Sequence, residues 1–123
     1  MHDEYYQKYK KTIVIDIDDT ISFANTFDDV NTYSKAVPNI NLIKTMQKLH
    51  KEGDTLILHT ARGWISCNQD TEAAEKKYRK QIETWLAVHN VPYDALLFGK
   101  PFGIYYVDDK AMRPDEFVEK FSR

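Results

Sequence analysis

Apolar side chains along the chain fall into blocks of two kinds. Thr12 to Ile17 is a short run rich in β-branched residues that ends among the carboxylates Asp16, Asp18 and Asp19. Such a run predicts a buried strand whose carboxyl end turns polar. Thr55 to Thr60 predicts a second buried strand and Ala95 to Phe98 a third. Ile104 to Val107 predicts a fourth, running into Asp108 and Asp109. Between the strands the period changes. After Pro38, the residues Leu42, Ile43, Met46 and Leu49 share one helical stripe, and Gly53 stops it. Thr71 to His89 carries Ala74, Tyr78, Ile82, Trp85, Leu86 and His89 at spacings of three and four, ended by Asn90 and Pro92. Asp115 to Phe121 predicts a terminal helix. Ile21 to Val37 has no helical period and is punctuated by Asn25, Asp28, Asp29 and Asn31, so it reads as an irregular flap or hairpin. Arg62 to Asp70 reads as a loop.

Strands alternating with helices predict an α/β fold: a three-layer, Rossmann-like parallel sheet with helices on both faces. Ligands bind such sheets at the carboxyl ends of the strands. One spacing is in tension with this picture. Only Gly99 to Gly103 separate the third and fourth strands, whereas a parallel crossover takes about a dozen residues. Either the chain crosses in extended form to lie beside the first strand, or the third strand stands outside the main sheet, or a partner chain completes it. In each case Lys100 is expected to project into the site from a loop.

The chain has 123 residues, 42% hydrophobic and 29% charged. Those values suit one soluble globular domain over residues 1–123, and no repeat or linker divides it. The gaps from Ile21 to Gly53 and from Ala61 to Asp94 are each spent on one irregular segment and one helix, leaving no residues for a further domain with its own core. A formal net charge of -2 argues against a dedicated nucleic-acid or anionic-membrane surface. No apolar run is long enough to span a bilayer, and Met1 to Lys11 lacks the apolar stretch of a signal peptide. The lone Cys67 fits a reducing compartment, so a cytoplasmic location is expected.

Three strand ends deliver useful groups to one edge: Asp16, Asp18 and Thr20; Thr60, with Arg62 beyond; and Asp108 and Asp109. Lys100 joins them. Carboxylates, a hydroxyl and a cation together suit phosphoryl transfer to an enzyme carboxylate. A carboxylate attacking a phosphate meets charge repulsion, which a hard divalent cation held by oxygens removes. Asp16 and Asp108 can hold Mg²⁺, with Asp109 beside them. Asp18 can reach the leaving-group oxygen, and crowding by carboxylates is expected to favour its acid form. Backbone N–H groups of the turn from Ile17 to Thr20 can cradle phosphate oxygens, and Thr60 and Lys100 neutralise the remaining charge. Arg62 reads equally as an anion-binding group or as a partner for Asp70. Trp64 reads as cover for the core edge. His59 alternates with Thr60 and is expected to face the helices.

The segments IVIDIDDT and LILHTARG, the lysine of FGKP and the segment YYVDDKA resemble, in order, the four motifs of the haloacid-dehalogenase superfamily of phosphatases. VPYDALLFGKP and YYVDDKAMRPDEF are most similar to its small capless branch of capsule-biosynthesis phosphatases. The resemblance implies a Mg²⁺ cofactor, a phosphoaspartyl intermediate on Asp16, and Asp18 as acid and then base. The metal ligands would be Asp16, Asp108, Asp109 and the backbone carbonyl of Asp18. Asp19, Thr20, Ala61 and Arg62 would bind the phosphate. Asp19 stands where the superfamily usually has glycine; aspartate tolerates positive φ better than most residues.

The reading favoured here is a phosphomonoesterase on a small phosphorylated metabolite, such as a sugar phosphate or another precursor of capsular polysaccharide. The alternatives are a phosphatase on nucleic-acid or protein phosphate ends and a non-catalytic interaction domain on the same fold. Lys76, Lys77, Arg79 and Lys80 alternate with Glu72, Glu75 and Glu83, a salt-bridged face rather than a nucleic-acid track. A homo-oligomer is compatible with an open site, and would be expected to place partner residues near Arg62 and Trp64.

Overall fold

The computed structural model describes residues 2–24 and 33–123. The residues Asn25, Asp28, Asp29 and Asn31 of the flap lie outside the described residues. Strand β1 (Thr12–Asp16) pairs in parallel with β4 (Thr55–His59), and β4 pairs in parallel with β5 (Ala95–Leu97). The three-stranded sheet therefore has the order β1-β4-β5. Its helices are α2 (Ile40–Lys51), α3 (Thr71–Val88) and α4 (Pro114–Phe121), preceded in the chain by α1 (His2–Tyr9). This is a mixed α/β, Rossmann-like architecture, with a parallel sheet flanked by helices. No helix among the described residues is long and apolar enough to cross a membrane.

The core follows from strand alternation. Ile15, Leu56, Leu58 and Leu96 are buried on one face, with Ile13 packed beside them. They join Leu42, Ile43 and Met46 of α2 and Tyr78, Ile82, Trp85 and Leu86 of α3 in one cluster. Each buried side chain of that size contributes about 1.5–3 kcal/mol relative to exposure. Phe117 and Val118 of α4 extend the same cluster. The alternate positions Val14 and Leu97 point the other way and stay exposed.

Helix ends match their local chemistry. Asn39, not Pro38, caps α2: its Oδ1 accepts from Leu42 N at 3.3 Å. Pro38 belongs instead to β3 (Val37–Pro38), which pairs antiparallel with β2 (Ser22–Phe23), so the flap is rooted in a hairpin. A short 3-10 turn, Tyr33–Lys35, precedes β3, and the indole N–H of Trp85 donates to Ala36 O. Asp70 caps α3 by accepting from Ala73 N at 3.1 Å. Gly63 has φ 84, and a Cβ there would lie 2.5 Å from Ala74 Cβ. The loop from Arg62 to Asp70 can thus press onto α3 only with glycine at that position.

Two elements differ from the sequence expectation. Helix α1 lies in the polar segment before β1, for which the apolar pattern predicts no element. Asp3 and Glu4 in its first turn and Lys8 in its last complement the helix dipole. The fourth strand is not formed: Ile104 to Val107 lies outside the sheet, from 53 to 98% exposed. A strand pattern needs a sheet edge to pair with, and among the described residues this segment pairs with none.

Candidate active site

The carboxyl end of β1 passes straight into a tight turn. Thr20 N, Ile21 N and Ser22 N all donate to Ile17 O, and Asp19 N donates to Ser22 O. Asp19 takes φ 61, the positive value foreseen for a residue replacing glycine. The amides of Ile17, Asp19 and Thr20 are thus spent on backbone partners, with Ile17 N on His59 O. Of the four amides from Ile17 to Thr20 expected to cradle a phosphate, these three are engaged within the fold.

Asp16 and Asp18 leave the turn toward different neighbours. Asp16 meets Lys100, whose Nζ lies 3.0 Å from Oδ1, and its Oδ2 accepts from Thr20 Oγ1 at 3.1 Å. Burial pushes the Asp16 carboxyl above its ordinary value, while the hydrogen bond and charge of Lys100 pull it back. Both side chains remain partly open to solvent. Lys100 is aimed by its own backbone: its N–H donates to Thr60 O at 3.2 Å, just beyond the end of β4. The lysine therefore projects from a loop onto Asp16, as expected.

Asp18 sits in a buried cluster. Its Oδ1 accepts from Arg62 Nε at 3.1 Å and from Arg62 Nη2 at 2.8 Å; its Oδ2 accepts from Thr60 Oγ1 at 2.6 Å. Thr60 Oγ1 also accepts from Arg62 N at 3.0 Å. Thr60, Ala61 and Arg62 are all buried. The hydrogen-bond partners of Asp18 are donors, while its charge is felt at Asp16, where it acts to raise the carboxyl. The one hydroxyl proton of Thr60 is directed to Asp18 in this arrangement. Arg62 pairs with Asp18, and Asp70 instead caps α3.

His59 alternates with Thr60 as expected, but its face is not the helical one. It stands opposite Asp16 in the β1–β4 register. Burial and the positive charge of Lys100 draw its imidazole below the usual value, with Asp16 acting in the opposite sense. The sequence contains this neighbour only once the register is known, since Asp16 and His59 are 43 positions apart.

Asp108 and Asp109 are not brought to this site. Both are exposed. Asp108 Oδ1 accepts from Lys110 N at 2.8 Å, and Asp109 Oδ2 lies 3.0 Å from Lys110 Nζ. Among the described residues no group of three or more His, Cys, Asp or Glu side chains gathers to hold a metal ion. The oxygens of Asp16 face an ammonium and a hydroxyl, and those of Asp18 are filled by Arg62 and Thr60. A single chain in this arrangement does not fit Mg²⁺. A concavity of about 470 Å³ lies beside Glu116, Glu119, Lys120 and Arg123, and none of the site residues lines it.

No protein-family model matches the chain. No curated protein matches it either. Among solved structures, an MCSG target from Vibrio cholerae is 31% identical with a TM-score of 0.79, over 90% of this chain and 93% of that one. A chain of the Pnkp1/Rnl/Hen1 complex is 23% identical with a TM-score of 0.54, over 89% of this chain and 33% of that one. In the Pnkp1/Rnl/Hen1 RNA repair complex the values are 19%, 0.55, 89% and 30%. The chain thus spans about a third of the length of those last two, and the likeness there is one of fold. The Vibrio cholerae protein matches over nearly the whole of both chains, and the chain belongs to the same family as that protein.

Proposed function

We propose that the protein is a phosphomonoesterase that uses Asp16 as a covalent nucleophile. The observation that carries this reading is the Asp16–Lys100 pair, 3.0 Å apart at the carboxyl end of a parallel strand and partly open to solvent. Lys100 can neutralise a phosphate that enters beside Asp16. Attack by Asp16 forms a carboxylate–phosphorus bond and breaks the ester bond, releasing the alcohol. Water then attacks the phosphoryl group, regenerating Asp16 and freeing phosphate.

Asp18 is the carboxyl group best placed to protonate the departing oxygen and later take a proton from water. For that it must swing away from Arg62 and Thr60. In the arrangement described, Thr60 and Arg62 hold and orient Asp18, and Lys100 is the cation that meets substrate. Thr20 steadies the second oxygen of Asp16.

The order of the four segments and their resemblance to haloacid-dehalogenase motifs support the same chemistry and favour a small phosphorylated metabolite, with a capsule precursor as the narrower reading. Mg²⁺ dependence and the ligands Asp108 and Asp109 rest on that resemblance. They require those two residues to reach Asp16, which one chain does not achieve. Phosphate release across sugar phosphates, nucleotides and 3′-phosphorylated oligonucleotides tests the proposal. Turnover of one small-molecule class above the others supports it. Preference for the oligonucleotides would move the reading to nucleic-acid ends, and no release from any would overturn it.

A further inference from the structure

The cation of the site is held at both ends, and one of the groups that holds it has no role in the chemistry described above. Lysine carries its ammonium on a flexible stem, so a fixed backbone alone does not fix the charge. The Lys100 N–H donates to Thr60 O at 3.2 Å. Pro101, the next residue, biases Lys100 toward an extended backbone. These two features set where the side chain starts. At its far end, Nζ lies 3.0 Å from Asp16 Oδ1 and 4.3 Å from the ring centroid of Tyr106. An ammonium at that range over an aromatic face is attracted by the ring quadrupole.

The ring is brought there by the chain that follows the lysine. The Tyr106 hydroxyl donates to Pro101 O at 2.8 Å and accepts from Gly103 N at 3.1 Å. Residues 101–106 thus close on themselves, and the phenol is tied to the residue directly after Lys100. Exposure singles out the same side chain. Tyr106 exposes 53% of its surface, against 82, 86 and 98% for Ile104, Tyr105 and Val107. The most covered residue of that segment is the one that turns back onto the cation.

The two partners of the ammonium differ in what they can do. Asp16 attracts it by charge, and a phosphate entering beside Asp16 competes for the same protons. The ring competes for none of them. It stays against the ammonium while the hydrogen bonds are exchanged, and it keeps water from one side of the charge. A cation held in place before the reaction stabilises developing charge better than one that must be gathered in.

We propose that Tyr106 is a positioning residue for Lys100: its ring keeps the ammonium over Asp16, and its hydroxyl keeps the ring in place. Tyr106 acts through the lysine and does not touch the reacting atoms. The contact stands on the geometry; its effect on turnover rests on the phosphatase reading. Loss of the ring should lower kcat/KM by about 3- to 10-fold, the scale of a partly desolvated cation–π contact. That is less than the loss expected on removing the lysine itself.

Two measurements test the proposal. Tyr106 lies outside the buried core, so its variants leave the core intact. The first measurement needs no substrate. In protein carrying isotope-labelled lysine, the ε-methylene signal of Lys100 is assigned by its absence from Lys100→Met. It should show the upfield ring-current shift of a group over an aromatic face, and Tyr106→Leu should return it to the position of the exposed Lys51. A Lys100 signal at the Lys51 position in the wild type, or one unmoved by Tyr106→Leu, would overturn the proposal. In Tyr106→Phe the shift should shrink; an undiminished shift would overturn the part given to the hydroxyl. The second measurement is a double-mutant cycle on kcat/KM with the best substrate from the phosphatase screen. Tyr106→Leu should cost about 3- to 10-fold beside Lys100 and nothing in the Lys100→Met background. Equal losses in both backgrounds would show that Tyr106 only shapes its loop, and no loss beside Lys100 would show that it does not aim the cation; either overturns the proposal. A wild type without phosphatase activity would count against the reading of the site, and the lysine signal would then decide the contact by itself.

Discussion

Arg62 grips one oxygen of Asp18 with two nitrogens, Nε at 3.1 Å and Nη2 at 2.8 Å, in a buried pair. Removing the guanidinium strands a carboxylate out of water. Arg62→Met should therefore cost about 3–5 kcal/mol in urea unfolding, because the partner charge is left uncompensated. Adding Asp18→Asn to that variant should recover part of the loss. A single variant as stable as wild type would contradict the pairing.

Gly63 tests the seating of the loop on α3. Its φ of 84 and the 2.5 Å approach of a built Cβ to Ala74 leave no room for a side chain. Gly63→Ala should destabilise by about 1–3 kcal/mol from overpacking, read as a lowered melting temperature. Because Arg62 is the adjacent residue, activity should fall with it.

Asp94 gives the protein a pH dependence of known sign. Its Oδ2 accepts from Leu56 N at 2.8 Å, and its own N–H donates to Leu56 O at 2.8 Å. The Leu56 hydrogen bond, assisted by His50, holds its carboxyl below the ordinary value. A depressed carboxyl stabilises the fold above its unfolded-state value, and that stabilisation is lost as pH falls through the folded value. Asp94→Ala should therefore be less stable than wild type at pH 7, and the gap should close in strong acid. Chemical denaturation at a series of pH values measures it; a gap independent of pH would remove the carboxylate from the account.

Lys100 should matter for turnover far more than for folding. Lys100→Met removes the cation from Asp16, and kcat/KM should fall by about 10²–10³-fold, as when one oriented charge-stabilising donor is lost. The melting temperature should change little. Steady-state kinetics on the best substrate from the screen checks this, and an unchanged kcat/KM would exclude Lys100 from the site.

How much of this was legible in the sequence depended on whether a signal was local. The β-branched run ending at Asp16, the tolerance of Asp19 for positive φ and the aim of Lys100 from a loop could all be read along the chain. Pairings across the chain could not. Thr60 and Arg62 carry groups suited to phosphate, and only their burial against Asp18 shows where those groups are spent. His59 became a neighbour of Asp16 through strand register. Ile104 to Val107 has the composition of a strand, but a strand is a relation to an edge. Among the described residues that edge is not supplied: the sheet ends at β1 with the segment outside it. Helix α1 went unread because its exposed tyrosines and alternating charges form no apolar stripe.

The central claim is that Asp16 attacks phosphorus. The most direct measurement is acid quenching of the enzyme during turnover, followed by mass spectrometry of its peptides. The account predicts one added phosphoryl group on the peptide containing Asp16, lost under mild base, and no label or turnover in Asp16→Asn. Wild-type turnover in Asp16→Asn, or a phosphoryl group on another residue, would contradict it.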